Sequence, residues 1–343
     1  MSQQGRYIYG IIEEPGEKRF GFDGVSGDGV CTVNYKDLAA VISYVPVESY
    51  DRFSEQLEMM SVKHELVLEN ILKNYTVIPM GFGVIAKSEE DVTKLLETAY
   101  PDFKDTLRAI DNKVELSVQV TSNEAKLLYE VAVKNETLKK LRQELISAGA
   151  GDATKIKIEM GKAISLALDE LKDEYVRDVL VSLNNVAVDS CSGKLTDAQI
   201  ILNESFLVRR DREVEFDGEV NRLAGKYEDN LKFKYIGPMP PYSFVRLAVS
   251  VMNFDTVDRA RQLLGLEEQV SLAEIKNAYR KLARQYHPDK NSGDQAKAEI
   301  FKDVTRNFEV LERCIQSLKP AENGKYLLRP EQIEGAILVS RRG

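Results

Sequence analysis

Histidine and cysteine, which often carry catalysis or bind transition metals, are scarce in this sequence. The histidines are His64 and His287, and the three cysteines, Cys31, Cys191 and Cys314, lie far apart. No Cys-x-x-Cys pair or histidine cluster with the spacing of a zinc site is present. Phosphate-binding loops and the nucleophile motifs of hydrolases are also missing. We therefore expect no catalytic residues, no metal and no cofactor, and the sequence does not favour an enzyme.

A polar segment, His287-Pro288-Asp289-Lys290, separates two predicted helices. The helix before it begins at a capping-box pattern, with Ser271 as the N-cap and Glu274 three residues later. Taken alone, the tripeptide His-Pro-Asp could simply end a helix, because a residue before proline disfavours helical geometry. Its position between two amphipathic helices instead favours a recognition loop in a helix–loop–helix hairpin.

The helix before this loop is basic on one face. Its apolar residues repeat every three to four positions, whereas the basic residues Lys276, Arg280 and Arg284 share another face and Lys281 flanks them. Residues 271–290 contain five basic and two acidic residues, a net charge of +3. Such a surface steers a partner whose own surface is acidic.

The charge of the whole chain argues against nucleic acid as a partner. Its 343 residues carry a net charge of −8, and residues 255–317 contribute nothing to it, with 11 basic and 11 acidic residues. A general nucleic-acid binder needs clustered lysine and arginine. The longest apolar runs are a few residues, so we predict no membrane-spanning helix, and no signal peptide is evident, which indicates a cytoplasmic protein.

The first part of the chain predicts an N-terminal α/β domain over residues 1–121. Residues 6–12 and 38–45 are typical of buried strands, and a glycine-rich turn lies between them. A helix follows from Ser54 to Asn74, and we predict that His64, on its apolar face, is packed and hydrogen-bonded. A strand at 114–120 is expected to close this domain.

The next part predicts a second domain over residues 122–254. Helical patterns at about 123–147 and 153–183 indicate an antiparallel hairpin. Strand patterns at 184–189, 200–209 and 231–236, with a helix near 212–227, favour a ferredoxin-like α+β arrangement. The predicted class is thus a multidomain α+β protein, with a helical module at 255–318 and a C-terminal tail at 319–343.

A proline-rich box follows the last strand of the second domain. It contains Gly237, Pro238, Pro240, Pro241, Tyr242 and Phe244. Proline fixes φ and cannot extend a sheet, so we expect the prolines to stop the strand at Ile236. We expect Tyr242 and Phe244 to pack back on the core, and we interpret the box as structural.

Several of these segments together resemble the gas vesicle F/L proteins. The resemblance covers about residues 5–250 and rests on Tyr7-Ile8-Tyr9-Gly10-Ile11, on His64, on Val77 to Gly83 and on the box at 237–244. It implies a role in building gas vesicles, the protein-walled flotation organelles. The implied partners are the small hydrophobic wall protein and other vesicle accessory proteins, and the implied location is the cytoplasm, in association with vesicles.

Residues 255–315 resemble a J domain. The resemblance rests on the run Ala278 to Lys290 and on Phe308-Glu309-Val310-Leu311, although the usual fourth helix and the usual aromatic residue of the first helix are missing. It implies contact with an Hsp70 of the DnaK type. The implied contact residues are His287, Pro288, Asp289, Lys276, Arg280, Lys281 and Arg284.

The two resemblances leave two functions open. The chain could be an assembly factor that binds the wall protein and recruits an Hsp70. Alternatively, it could be a minor structural component of the vesicle wall, with the J-like segment only structural. A soluble, highly charged chain that carries a co-chaperone motif favours the first.

Overall fold

The computed structural model describes residues 4–46, 57–288, 294–318, 320–321, 323–333 and 336–341. The chain forms two compact units. The first unit joins Met1–Ala109 to Val245–Gly343, and the second unit is Ile110–Phe244. The second unit is therefore an insertion within the first along the chain. None of the described helices combines the length and apolar character needed to cross a membrane.

An antiparallel sheet is the centre of the N-terminal half of the first unit. Its strands are β1 (Gln4–Glu13), β2 (Arg19–Asp23), β3 (Gly29–Tyr35), β4 (Leu38–Pro46), β5 (Val77–Pro79) and β6 (Ile85–Ala86). They pair in the order β2-β3-β4-β1-β5, and β6 also pairs with β1. The strands predicted at 6–12 and 38–45 are confirmed as β1 and β4. The glycine-rich stretch forms the predicted turn, in which Gly27 has a φ of 87°.

Three helices complete this half of the first unit, one between β4 and β5 and two after β6. They are α1 (Leu57–Leu72), α2 (Glu89–Thr98) and α3 (Tyr100–Ile110). Helix α1 packs against β1 and β5. Its buried residues recur at the helical period and are Met60, His64, Val67, Leu68, Ile71 and Leu72. The predicted start of this helix at Ser54 lies outside the described residues.

The second unit contains four strands and four helices. In chain order they are β7 (Lys113–Ser122), α4 (Glu124–Lys134), α5 (Glu136–Ser147), α6 (Ala150–Asn184), β8 (Asp189–Ser192), β9 (Ile200–Arg209), α7 (Glu213–Lys226) and β10 (Leu231–Met239). The sheet order is β10-β7-β9-β8 and all pairs are antiparallel. This is the predicted ferredoxin-like arrangement, with the helical hairpin inserted after the first strand.

The placement of the strand at 114–120 was predicted wrongly. It forms, as β7, but it pairs with β9 and β10 in the second sheet, so the second unit begins at Ile110 and not after residue 121. Its alternate residues Val114, Leu116, Val118 and Val120 are all buried. Alternation predicts a strand with one buried face, but it does not identify the neighbouring strands.

The predicted hairpin is confirmed, with two differences in detail. Asn135 divides the first arm, since its side chain caps the start of α5 by accepting the Leu138 backbone N–H. The second arm stays helical to Asn184, so the strand predicted at 184–189 begins only at Asp189. The arms share a small core of Val131, Leu138 and Ala167.

The C-terminal module comprises β11 (Leu247–Val251), α8 (Phe254–Leu263), β12 (Gln269–Val270), α9 (Leu272–Tyr286), α10 (Gln295–Ser317), β13 (Tyr326–Leu327), α11 (Pro330–Ile333) and β14 (Ile337–Arg341). The predicted helical region is confirmed, but its predicted limits of 255 and 318 are too narrow. Strand β11 pairs with β14 and β12 pairs with β13. The described residues after 319 therefore fold back onto the module and do not form the separate tail that was predicted.

The returning segment completes the core of the C-terminal module. Leu328 and Ile333 are 1% and 0% exposed and join Val257, Ile275 and Leu311 in one buried cluster. A three-helix unit of this size buries little apolar surface by itself. The folded-back segment supplies part of the core that a fourth helix would otherwise provide.

Candidate functional site

The start of α9 is fixed by a reciprocal cap. The Ser271 hydroxyl accepts the Glu274 backbone N–H at 3.2 Å, and Glu274 Oε2 accepts the Ser271 backbone N–H at 2.7 Å. Lys325 Nζ, from the returning segment, lies 2.8 Å from Glu274 Oε1. This ammonium, together with the Ser271 N–H and hydroxyl, lowers the pKa of the Glu274 carboxyl to about 2. The predicted capping box is confirmed, and the lysine that completes it was not predicted.

Helices α9 and α10 pack as the predicted hairpin. Ile275 and Leu311 are fully buried between them. The rings of Tyr279 and Phe308 stack with centroids 4.3 Å apart and an interplanar angle of 21°. Such stacked pairs add to the burial of their area and define one relative placement of the two helices. The hairpin thus gives the residues on its surface a rigid support.

The basic residues of α9 divide into two groups. Arg280, Lys281 and Arg284 are exposed. Within the described part of the chain they form no ion pair. Lys276 is half-buried, and its Nζ lies 3.7 Å from Glu312 Oε1 on α10. The structure therefore leaves three predicted basic residues on an open face, whereas Lys276 lies beside Glu312 of α10.

The recognition loop begins where α9 ends. His287 has φ −57° and ψ 132°, extended as expected for a residue before proline. Its ring is half-buried and lies edge-on to Phe301 of α10, with centroids 5.4 Å apart. Pro288 is exposed. Asp289, the third residue of the predicted motif, lies outside the described residues. The His287 ring is thus partly packed against α10 and is not fully exposed.

The proline-rich box lies in the second unit and contacts a buried carboxylate. Glu115 of β7 is 3% exposed. Ser243 donates its backbone N–H to Glu115 Oε2 at 2.8 Å and its hydroxyl to Oε1 at 2.7 Å. Both oxygens of a desolvated carboxylate are thereby satisfied. The only sequence signal for this site was an acidic residue within the apolar strand pattern of β7.

The strand before the box does not stop at Ile236. Strand β10 continues to Met239 after a break in register between Ile236 and Met239. Residues at such a bulge are unpaired, so Pro238 costs no ladder hydrogen bond there. Pro240 and Pro241 are buried, and Tyr242 and Phe244 are half-buried.

Gly237 allows this bulge. Its φ is 137°, and a Cβ at this position would lie 2.8 Å from Leu116 Cδ2 and 2.9 Å from the Glu115 carbonyl oxygen. An L side chain meets both strain and collision there. The box is therefore built against β7 at the position that only glycine fits.

His64 is packed and hydrogen-bonded, as predicted. It is 1% exposed, and its Nδ1 lies 2.9 Å from the Tyr7 hydroxyl. Its ring stacks on Tyr9 with centroids 5.6 Å apart. Burial lowers the pKa of the imidazole to about 4. His64 is therefore neutral at physiological pH and supports the first sheet.

The cysteines lie in different environments. Cys31 is partly buried, Cys191 is exposed and Cys314 is buried. Burial raises the pKa of the Cys314 thiol to about 12. Across the described ranges, no three histidine, cysteine or acidic side chains are grouped so that they could hold a metal ion.

Comparison with known proteins matches both parts of the chain. The family profile "Gas vesicle synthesis protein GvpL/GvpF" matches residues 5–246, and the DnaJ domain profile matches residues 262–314. Gas vesicle protein F1 of Halobacterium salinarum is 30% identical over 247 residues, which are 71% of this chain and 93% of that protein. Gas vesicle protein F of Haloferax mediterranei is 26% identical over 71% of this chain and 94% of its own length.

The fold and the C-terminal module have matches of their own. The crystal structure of the gas vesicle protein GvpF from Anabaena sp. PCC7120 superposes with a TM-score of 0.60 at 22% identity, covering 71% of this chain and 98% of that one. The chaperone protein DnaJ of Deinococcus proteolyticus is 52% identical over 50 residues, which are 15% of this chain and 16% of DnaJ. The chain thus joins two parts that match different sets of proteins.

Proposed function

Because the chain belongs to the GvpL/GvpF family of gas vesicle synthesis proteins and carries a DnaJ domain, we propose that it is a non-enzymatic gas vesicle assembly factor. In this proposal, residues 1–250 bind the hydrophobic wall protein, and the C-terminal module recruits an Hsp70 of the DnaK type. The protein acts in the cytoplasm, where it brings an unassembled wall subunit and a chaperone together.

The surface of α9 is the observation that carries the Hsp70 part of the proposal. Arg280, Lys281 and Arg284 are exposed on a helix that is fixed by a cap at its start and by a stacked aromatic pair along its length. A preorganised positive surface lowers the cost of ordering the contact and steers an acidic partner. His287 and Pro288 begin the loop at the end of this helix, so the loop residues proposed for recognition lie next to its basic side chains.

The Hsp70 contact is tested by the ATP turnover of a DnaK-type Hsp70 with and without this chain. The wild-type chain is expected to raise turnover, and the double variant Arg280→Glu/Arg284→Glu to weaken the effect, most strongly at low salt. Arg259→Glu is a single-site control, because Arg259 is exposed on α8 of the same module and its charge change equals that of each substitution in the double variant. Equal stimulation by the double variant and the control would contradict the proposed contact.

His287→Gln tests the loop separately. It is expected to abolish stimulation while the module stays folded. The lost edge contact with Phe301 is expected to cost less than about 1 kcal/mol, since the ring is only half-buried. Circular dichroism checks folding before turnover is compared. A folded His287→Gln variant that stimulates like the wild type would remove the loop from the contact.

Binding of the wall protein is tested by co-expression. The full-length chain is expected to increase the soluble fraction of the wall subunit. The Arg280→Glu/Arg284→Glu variant is expected to do so equally well, because the family match to residues 5–246 ends before α9. No increase with the wild-type chain would contradict this part of the proposal, whatever the outcome with Hsp70.

The same cells distinguish the alternative, a minor component of the wall. The chain would then remain with vesicles after stringent washing, in a fixed ratio to the wall subunit. An assembly factor is expected in the soluble fraction and in early assembly intermediates. Quantitative mass spectrometry of washed vesicles decides between the two.

A further inference from the structure

Helix α1 has a second apolar face that no part of the described chain covers. Met59, Val62 and Leu66 are 55%, 56% and 50% exposed. Their spacing of three and four residues places them in one stripe over two helical turns. At 100° per residue, this stripe lies opposite the face that packs on β1 and β5. Three large apolar side chains grouped on one exposed helical face form an apolar patch of the kind that a partner covers.

The charges beside the stripe differ on its two edges. Glu58, Glu65 and Glu69 follow one edge and are all exposed. On the other edge, Lys63 is half-buried, with its Nζ 3.3 Å from the Val25 carbonyl oxygen. The stripe therefore has an acidic border on one side and no comparable row of charge on the other.

We propose that the outer face of α1 binds an amphipathic helix from another protein. This helix has apolar residues at helical spacing and lysine or arginine along one edge. Its apolar residues pack against Met59, Val62 and Leu66, while its basic edge lies beside Glu58, Glu65 and Glu69. The assignment goes beyond the proposed function, because neither the Hsp70 contact nor binding of the wall protein specifies this face.

The same charges disfavour two other occupants. In an antiparallel pair of two copies, two-fold symmetry places each row of glutamates against its own equivalent, which is repulsive. In a parallel pair the glutamates meet the edge of Lys63, whose ammonium is directed to the Val25 carbonyl. An anionic membrane surface is repelled by the acidic border. A basic amphipathic helix matches both the stripe and its border.

The test uses a designed amphipathic peptide with a leucine stripe and lysines along one edge, labelled for fluorescence anisotropy, and the full-length chain. The wild-type chain is expected to bind this peptide, and a peptide with glutamates in place of the lysines about tenfold more weakly or worse. Leu66→Lys and Val62→Lys are each expected to weaken binding about tenfold or more. Val181→Lys is the control, because Val181 is 59% exposed on α6, away from the stripe.

Each other outcome overturns the proposal. Leu66 is half exposed, so the variants are expected to keep the wild-type circular dichroism spectrum and melting temperature, and loss of binding then reports on the surface. No binding by the wild type, equal binding of both peptides, or equal binding by Leu66→Lys would exclude a basic helix. A dimer in sedimentation that Leu66→Lys abolishes would assign the face to a second copy. Binding to anionic vesicles alone would assign it to a membrane.

Discussion

Burial keeps His64 neutral in the folded chain, and this makes the stability of the first unit depend on pH. The pKa is lowered from 6.5 to about 4, so between these values the unfolded chain takes up a proton that the folded chain does not. The free energy of unfolding is therefore expected to fall as pH decreases from 6.5 to 4 and to lose nothing further from this group below 4. The difference between the two pKa values corresponds to roughly 3 kcal/mol in the free energy of unfolding.

Urea unfolding at pH 7 and pH 4.5 tests this prediction in the wild type and in His64→Gln. Other groups titrate in both proteins, so the comparison isolates the histidine. The variant is expected to be less stable at pH 7, because it loses the stacking on Tyr9, but to lose less stability on acidification. An identical pH dependence in the two proteins would show that His64 titrates normally in the fold.

Gly237 gives a second prediction for a single residue. Gly237→Ala is expected to destabilise the second unit by about 1–3 kcal/mol, because alanine must adopt a φ of 137° and its Cβ would meet Leu116. Gly218→Ala is the matched control in α7, where an added Cβ meets nothing within 4 Å and removal of a helical glycine stabilises by up to about 1 kcal/mol. Thermal unfolding of both variants measures the difference, and changes of the same sign would contradict the role of Gly237.

The sequence predicted residue roles where the signal was local. The capping box of Ser271 and Glu274 and the packed His64 are both present in the fold. Glu115 was not predicted as the partner of Ser243, because the two residues are brought together by the chain path and are far apart in sequence. Lys325 was missed for the same reason. Side-chain pairs that form only in the tertiary structure produce no periodic pattern in the sequence.

At the scale of elements, the returning C-terminal segment is expected to be essential for the C-terminal module. Leu328 is 1% exposed in its core, so Leu328→Ala is expected to cost about 2–5 kcal/mol. Leu263→Ala is the control, since Leu263 is 44% exposed on α8 and its truncation is expected to cost less than about 1 kcal/mol.

Hydrogen exchange of the α9 and α10 amides reports this difference directly. Exchange is expected to be faster in Leu328→Ala than in the wild type and unchanged in Leu263→Ala. Protection of α9 and α10 that survives in Leu328→Ala would mean that the helices form a stable core without the returning segment.

The positions of helices and strands were predicted well where the hydrophobic pattern extended over many residues. The pairing of strands was predicted less well. Helix α7 and strand β9 lie within a residue or two of the predicted positions. Strand β7 was assigned to the wrong sheet, and β14 was not recognised as the partner of β11. Hydrophobic alternation identifies a buried strand face, but strand pairing depends on contacts between distant residues, which one sequence does not specify.

At the scale of the whole molecule, the second unit is formed by one continuous segment of the chain, whereas the first unit is formed by two. The second unit is continuous, has its own four-stranded sheet and buries Phe206 and Phe216 completely. Residues Ile110–Phe244 are therefore expected to fold when expressed alone, with cooperative urea unfolding and a dispersed NMR spectrum. An unfolded fragment would contradict this independence.

The first unit, in contrast, is assembled from both ends of the chain. Strand β14 of the C-terminal module lies against α2 of the N-terminal half. This contact can form only after the inserted second unit has been synthesised, because that unit lies between α2 and β14 in the sequence. Family membership covers the first two-thirds of the chain and the DnaJ match covers a later part, and the fold brings segments of both into one unit.

The pairing of β11 with β14 has a consequence for engineering. Leu247 is opposite Arg341 and Val251 is opposite Ile337, so the module starts and finishes at neighbouring backbone positions, about 5 Å apart. A segment of this geometry can be grafted as a cassette into a surface turn of an unrelated carrier without a spacer, once the surface of β14 that lies against α2 is covered or made polar. A transplanted cassette would present its basic helix at a fixed site on the carrier protein, without a flexible linker.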